Sequence, residues 1–99
     1  MAVPVRRWEA RLERHVTLHA KKLKLEVYKF TSPGRRGVPD RMFVNQRGRI
    51  CFIELKAPGR KPNPMQDREI SILTSRGVLA FWSSEINECK EFLTDFSEL

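Results

Sequence analysis

The sequence predicts an α/β fold of three helices and four short strands in a single domain spanning residues 1–99, and three observations carry that reading. Apolar residues recur at helical spacing near both ends of the chain, compact or alternating apolar runs lie between them, and Gly or Pro clusters separate the runs. A chain this short buries only roughly 60 to 65% of the surface it exposes when unfolded, so it builds one hydrophobic core.

No Gly or Pro interrupts Val5 to Leu23, and Leu12, Val16, Ala20 and Leu23 follow the three-and-four spacing of one helical face, with Trp8 as an early anchor. The opposite face carries Arg6, Arg11, Arg14, Lys21 and Lys22, a pattern that suits either solvent or phosphate. Leu25 to Phe30 alternates as a short strand does, and Ser32-Pro33-Gly34-Arg35-Arg36-Gly37 then forms a basic loop. Arg41 to Asn45 and Arg49 to Lys56 read as the two strands of a hairpin around Gln46-Arg47-Gly48. A loop from Ala57 to Pro64 leads to a second helix over Gln66 to Arg76, stopped by Gly77. Val78 to Trp82 is an apolar strand, and Ser83 or Ser84 caps a last helix striped by Ile86, Cys89, Phe92, Leu93 and Phe96.

Composition narrows the partners. Lys and Arg outnumber Asp and Glu by 19 to 12, which gives a formal charge of +7 and favours a polyanion such as nucleic acid. Cys51 and Cys89 lack paired spacing, so neither a disulfide framework nor a zinc module is indicated. No apolar run approaches the ~20 residues of a membrane span, and Met1 to Arg7 lacks the apolar centre of a signal peptide. The expectation is a soluble, cytoplasmic protein.

Ile50-Cys51-Phe52-Ile53-Glu54-Leu55-Lys56 is the most informative stretch, because both faces are apolar until two charges arrive at its end. Such a strand belongs inside a sheet. Alternation places Glu54 and Lys56 on the face of Ile50 and Phe52, where an unpaired charge costs several kcal/mol and persists only with a counter-ion, a metal or a partner side chain. With a three-residue loop at Gln46 to Gly48, Asn45 pairs with Arg49 and Asp40 falls opposite Glu54; with a two-residue loop Asp40 opposes Ile53 instead. Facing carboxylates repel unless a divalent cation takes oxygens from both, and Mg²⁺ suits one or two carboxylates with waters and phosphate oxygens. Lys56 projects beside that position, where an ammonium neutralises charge developing on a phosphate. The plain alternative is an ordinary Glu54–Lys56 pair on an exposed strand, which the apolar residues before it argue against.

Those residues carry a resemblance. Gly37-Val38-Pro39-Asp40, followed after a hairpin by Ile53-Glu54-Leu55-Lys56, resembles the signature of the PD-(D/E)XK nucleases, and within them the chain is most similar to the virus-type replication-repair nuclease (VRR-NUC) family. The lead-in from Lys29 to Gly37 and the trailing Gln66 fit it as well, so the resemblance covers nearly the whole chain. It implies a restriction-endonuclease-like core, a central mixed β-sheet of about four strands flanked by α-helices. It also implies Asp40 and Glu54 as metal ligands with the Leu55 carbonyl nearby, Lys56 as the catalytic lysine, and Gln66 over the site. A helix-borne glutamate completes the metal set. Glu13 borders the buried face and is preferred, with Glu9 one turn earlier as the alternative. Some related nucleases place a Tyr four residues after such a Gln; here that position is Ile70, and no role carries over.

The expected activity is hydrolysis of DNA phosphodiesters by water activated with Mg²⁺ or Mn²⁺, without an organic cofactor. Arg35, Arg36, Arg60 and Lys61 flank the motif and are placed to hold the DNA backbone. Kinship further implies a homodimer cutting branched DNA such as four-way (Holliday) junctions, in a bacterial or phage-infected host cell. His15 and His19 stand four residues apart but lack an acidic third ligand, and read as surface or half-buried histidines. Trp8, Trp82, Phe81 and Phe92 each lie in a periodic apolar segment and read as core rather than as a base-stacking platform. Two rival functions remain: a non-catalytic nucleic-acid-binding module, which leaves the facing acids without a purpose, and a purely structural interaction subunit.

Overall fold

The computed structural model describes residues 4–99. Met1 to Val3, part of the stretch read against a signal peptide, lie outside the described residues. The elements are α1 (Val5–Lys22), β1 (Glu26–Lys29), β2 (Arg41–Val44), β3 (Ile50–Leu55), α2 (Pro64–Ser75), β4 (Leu79–Ser83) and α3 (Ile86–Ser97). The four strands form one sheet in the order β1-β2-β3-β4. The first three are antiparallel neighbours, whereas β3 and β4 run parallel and are joined through α2, as a parallel pair requires. The sheet is therefore mixed, and no described helix is long and apolar enough to cross a membrane.

The core lies between the sheet and the pair α1 and α3. Val16 and Ala20 of α1 meet Cys89, Leu93 and Phe96 of α3 over Phe43, Cys51 and Ile53 of the central strands. Phe81 stacks on Phe92 at 4.4 Å between ring centroids, which places both in that core as expected. Trp8 and Trp82 are half-buried, and the Arg11 guanidinium lies over the Trp8 ring at 5.0 Å.

The opposite face of the sheet differs from expectation. An apolar run such as β3 is expected to be covered on both faces, yet Ile50 is 45% exposed and Phe52 half-buried, while Cys51 and Ile53 are buried. The reason is that α2 packs chiefly on β4, so the β1–β2 side of that face stays uncovered, with Tyr28 and Phe30 also exposed.

Three helix boundaries are set by local chemistry. Helix α2 starts at Pro64, two residues before the expected Gln66. The Asn63 side chain accepts from the Gln66 N–H, the Gln66 side chain accepts from the Asn63 N–H, and Pro64 sits where a missing N–H costs nothing. Helix α3 is capped by neither serine. Ser83 still pairs within β4, where its carbonyl accepts from the Lys56 N–H, and its hydroxyl accepts from the Glu85 N–H one step before the helix. Helix α1 ends without glycine, and Lys24 turns the chain with a φ of 60°.

The hairpin register follows the three-residue loop. Arg41 pairs with Ile53 and Val44 with Ile50, and the Asn45 N–H donates to the Arg49 carbonyl. One further step brings Asp40 opposite Glu54. Asn45 itself, 5% exposed, organises the turn: its Oδ1 accepts from the Arg47 and Arg49 N–H groups, and its Nδ2 donates to the Phe96 carbonyl at the end of α3.

Candidate active site

The residues singled out in the motif converge on one cavity of about 140 Å³ lined by Glu9, Glu13, Asp40, Arg41, Glu54, Leu55 and Lys56. Each element delivers its part for a local reason. Pro39 is fully buried and fixes the approach to β2, and the Phe30 N–H donates to the Asp40 carbonyl at 2.7 Å, so the exposed Asp40 side chain is held by its backbone. Glu54 and Lys56 alternate along β3, with their side chains only 12% and 17% exposed. Lys56 Nζ lies 3.7 Å from Glu54 Oε2, a loose ion pair. Gln66 reaches the same oxygen, with Nε2 donating to Glu54 Oε2 at 3.4 Å. The capping box that starts α2 therefore also points the Gln66 amide into the site.

Glu54 is the electrostatic centre. Burial, then the facing Asp40 carboxylate, push its pKa up to about 7; Lys56 pulls it back, and Glu9 raises it further. A carboxylate so placed gains from any cation that enters the cavity.

The two helix acids are not equivalent. Both line the cavity, but Glu9 is the one whose charge acts on Glu54, whereas Glu13 is ion-paired with Arg41. Arg41 lies on β2 next to Asp40, with its side chain 14% exposed, so the pair ties α1 to the sheet. The preference for Glu13 rests on its nearness to the buried face, and that nearness is what lets Arg41 claim it.

The oxygen donors among the lining side chains are the carboxylates of Glu9, Glu13, Asp40 and Glu54, with no thiolate or imidazole, a chemistry that suits a hard divalent cation. Among the described residues no three His, Cys, Asp or Glu side chains converge as a closed metal cluster. An open cavity of this kind suits an ion that retains waters and takes phosphate oxygens from a substrate. His15 is half-buried and His19 shares a hydrogen bond with Thr94 at 3.0 Å; burial and the neighbouring Lys90 push the His19 pKa down. Cys51 and Cys89 are free buried thiols, pushed up by burial to about 12 and about 11.

The basic residues of the flanking loops are exposed: Arg36 before Asp40, and Arg60 and Lys61 after Lys56. Arg35 is different, because its guanidinium is bound by the Glu69 carboxylate of α2. Glu69 and Arg68 do not figure in the motif, although the spacing of Glu69 three residues after Gln66 places the two on one helix face. Gly37 locks the loop to that helix. Its φ is +84°, and a Cβ there would meet the Met65 carbonyl carbon and oxygen at 2.6 Å and the Gln66 nitrogen at 2.9 Å.

No family model matches the chain. The curated protein described as "Putative nuclease p44", from Acyrthosiphon pisum secondary endosymbiont phage 1, is 48% identical over 69 residues, which are 70% of this chain and 74% of the relative. A solved structure described as "VRR_NUC domain" superposes with a TM-score of 0.81 at 28% identity, over 90% of this chain and 97% of that one.

Proposed function

Because this chain belongs to the VRR-NUC family and is a nuclease, we propose that it hydrolyses DNA phosphodiesters with Mg²⁺ or Mn²⁺, as a structure-specific endonuclease on branched DNA such as four-way junctions. The observation that carries the reading is Glu54: a carboxylate 12% exposed, facing Asp40, with a pKa of about 7 and both Lys56 and Gln66 aimed at it. Such an arrangement costs stability and makes sense as a cation site.

Asp40, Glu54 and Glu9 would hold the divalent ion with the Leu55 carbonyl, and Glu13 serves through Arg41. Bound there, the ion supplies Lewis-acid polarisation of the phosphate and activation of the attacking water. The chain's own groups do the rest. Lys56 neutralises negative charge on the phosphate as it builds, and Gln66 orients Glu54 and contacts the lysine, the water or the phosphate. Arg36, Arg60 and Lys61, with Arg35 beside them, position the DNA backbone without reading its sequence. A homodimer would present two such sites to the two strands that a junction requires to be cut, and the family resemblance supports it. The apolar side chains left open on the sheet, Tyr28 and Ile50 among them, offer surface for a second copy.

The test is incubation with labelled linear duplex, flap and four-way junction DNA in Mg²⁺, Mn²⁺ or EDTA, with Asp40→Ala alongside. Junction cutting that needs both metal and Asp40 is expected. Tight binding without cleavage in any metal would replace this reading with the non-catalytic module.

A further inference from the structure

A second cavity, of about 330 Å³, lies between the basic loop and the start of α2, lined by Gly34, Arg35, Arg36, Met65, Arg68 and Glu69. Its wall is built rather than incidental. Glu69 is 7% exposed and is the buried residue of α2, a costly position for a carboxylate without a partner. Arg35 supplies that partner through Nε while its side chain stays 56% exposed. Gly37 meanwhile lets the loop backbone press against Met65 and Gln66. Among the described residues neither Arg36 nor Arg68 has an ion-pair partner. Three guanidiniums thus share one cavity with a single carboxylate, and the uncompensated charge calls for an anion.

Position says which anion. Gln66 donates to Glu54 at the acidic cavity, and Glu69 lies one helical turn further along α2. Three residues of helix advance about 4.5 Å, so the notch lies a short step from the acidic cavity, within reach of a neighbouring phosphate of the same strand. Guanidinium forks match phosphate oxygens in geometry as well as charge.

We propose that this notch takes one backbone phosphate of the bound DNA strand, adjacent to the phosphate at the Asp40–Glu54 site, with Arg36 and Arg68 as its ligands and Arg35 held in the wall by Glu69. It rests on the nuclease reading above. Arg35 is the wrong residue to delete, because its loss strands the buried Glu69 charge and unfolding would mask any effect on binding.

The experiment measures equilibrium binding of a fluorescent DNA duplex to the Asp40→Ala protein in EDTA, as a function of salt. Arg36→Gln and Arg68→Gln are compared with Arg76→Gln, an exposed arginine at the far end of α2. Arg36→Gln and Arg68→Gln should each weaken binding about 10-fold at low salt and reduce the slope of log K against log salt by about one. Arg76→Gln should do neither, and all three variants should melt with the parent. Equal losses in all three would mean that net charge alone acts, and would overturn the notch. So would parent-like binding by Arg36→Gln and Arg68→Gln. Wild-type protein that binds no DNA even with Ca²⁺ in place of EDTA would instead bring down the DNA-cleaving reading itself.

Discussion

At the turn end of the β2–β3 hairpin, Asn45 is 5% exposed and its side chain both accepts from two backbone N–H groups and donates to the Phe96 carbonyl. At the open end, five residues or roughly 17 Å away, the Glu54 side chain is 12% exposed and faces another carboxylate, with Lys56 and Gln66 only loosely engaged at 3.7 and 3.4 Å. The same two strands carry both. One end is polar chemistry fully satisfied by the protein; the other is polar chemistry left for something else to satisfy. The first fixes the register that creates the second.

The comparison breaks most visibly through Lys56. Lys56→Ala should lower the single-turnover cleavage rate roughly 100- to 1000-fold while DNA affinity stays near that of the parent. Equal activity would remove the lysine from the chemistry. At the turn end, Asn45→Ala strands the Arg47 and Arg49 N–H groups while the Phe96 carbonyl keeps the Leu99 N–H, and should destabilise the fold by about 2 kcal/mol in urea unfolding, with the cleavage rate per folded molecule kept below the melting range.

Glu54→Gln should go the other way for stability. The folded value of about 7 lies above the ordinary 4.5, so between those values the folded chain holds more protons than the unfolded one. Stability conferred by Glu54 is therefore present at low pH, falls as pH rises from 4.5 towards 7, and stays lost above. Each pH unit between the folded and unfolded values is worth about 1.4 kcal/mol at most. With some solvent relaxation at the open cavity, Glu54→Gln should raise metal-free stability by roughly 2 kcal/mol at about pH 8 and remove most of that slope, while abolishing cleavage. A variant no more stable than the parent under those conditions would mean that the open end carries no electrostatic tension. Lys24 calibrates the scale from a place remote from both ends: Lys24→Gly relieves a positive φ and should add about 0.5 to 1 kcal/mol in the same unfolding assay without touching activity.

How much of the molecule is legible in its sequence follows from which forces are local. Alternation along β3 and the three-residue loop predict the register that sets Asp40 against Glu54, because turn length and period two leave little choice. The resemblance anticipates the mixed four-stranded sheet and the likeness to the solved VRR_NUC domain. The start of α2 is written plainly as Asn63-Pro64-Met65-Gln66, but in capping chemistry rather than in the apolar spacing that places the helix two residues late. The different surroundings of Glu9 and Glu13 are not readable from helix periodicity. They depend on Arg41, twenty-eight residues after Glu13 in the chain, and only the tertiary fold brings the two together. The same holds for Glu69 and Arg35, a tertiary pair with no local signature.

The anchoring of α2 has a kinetic consequence. This helix packs chiefly on β4 and buries a charged residue where α1 and α3 bury aliphatic and aromatic ones. Its apolar residues Ile70, Ile72 and Leu73 are only half-buried, so its undocking exposes less apolar surface than that of α1 or α3 would. An open molecule would keep the hairpin and the facing acids but lose the Gln66 hydrogen bond to Glu54. Amide hydrogens along α2 should exchange well ahead of those in β2 and β3, and a DNA strand bridging loop and helix should slow them.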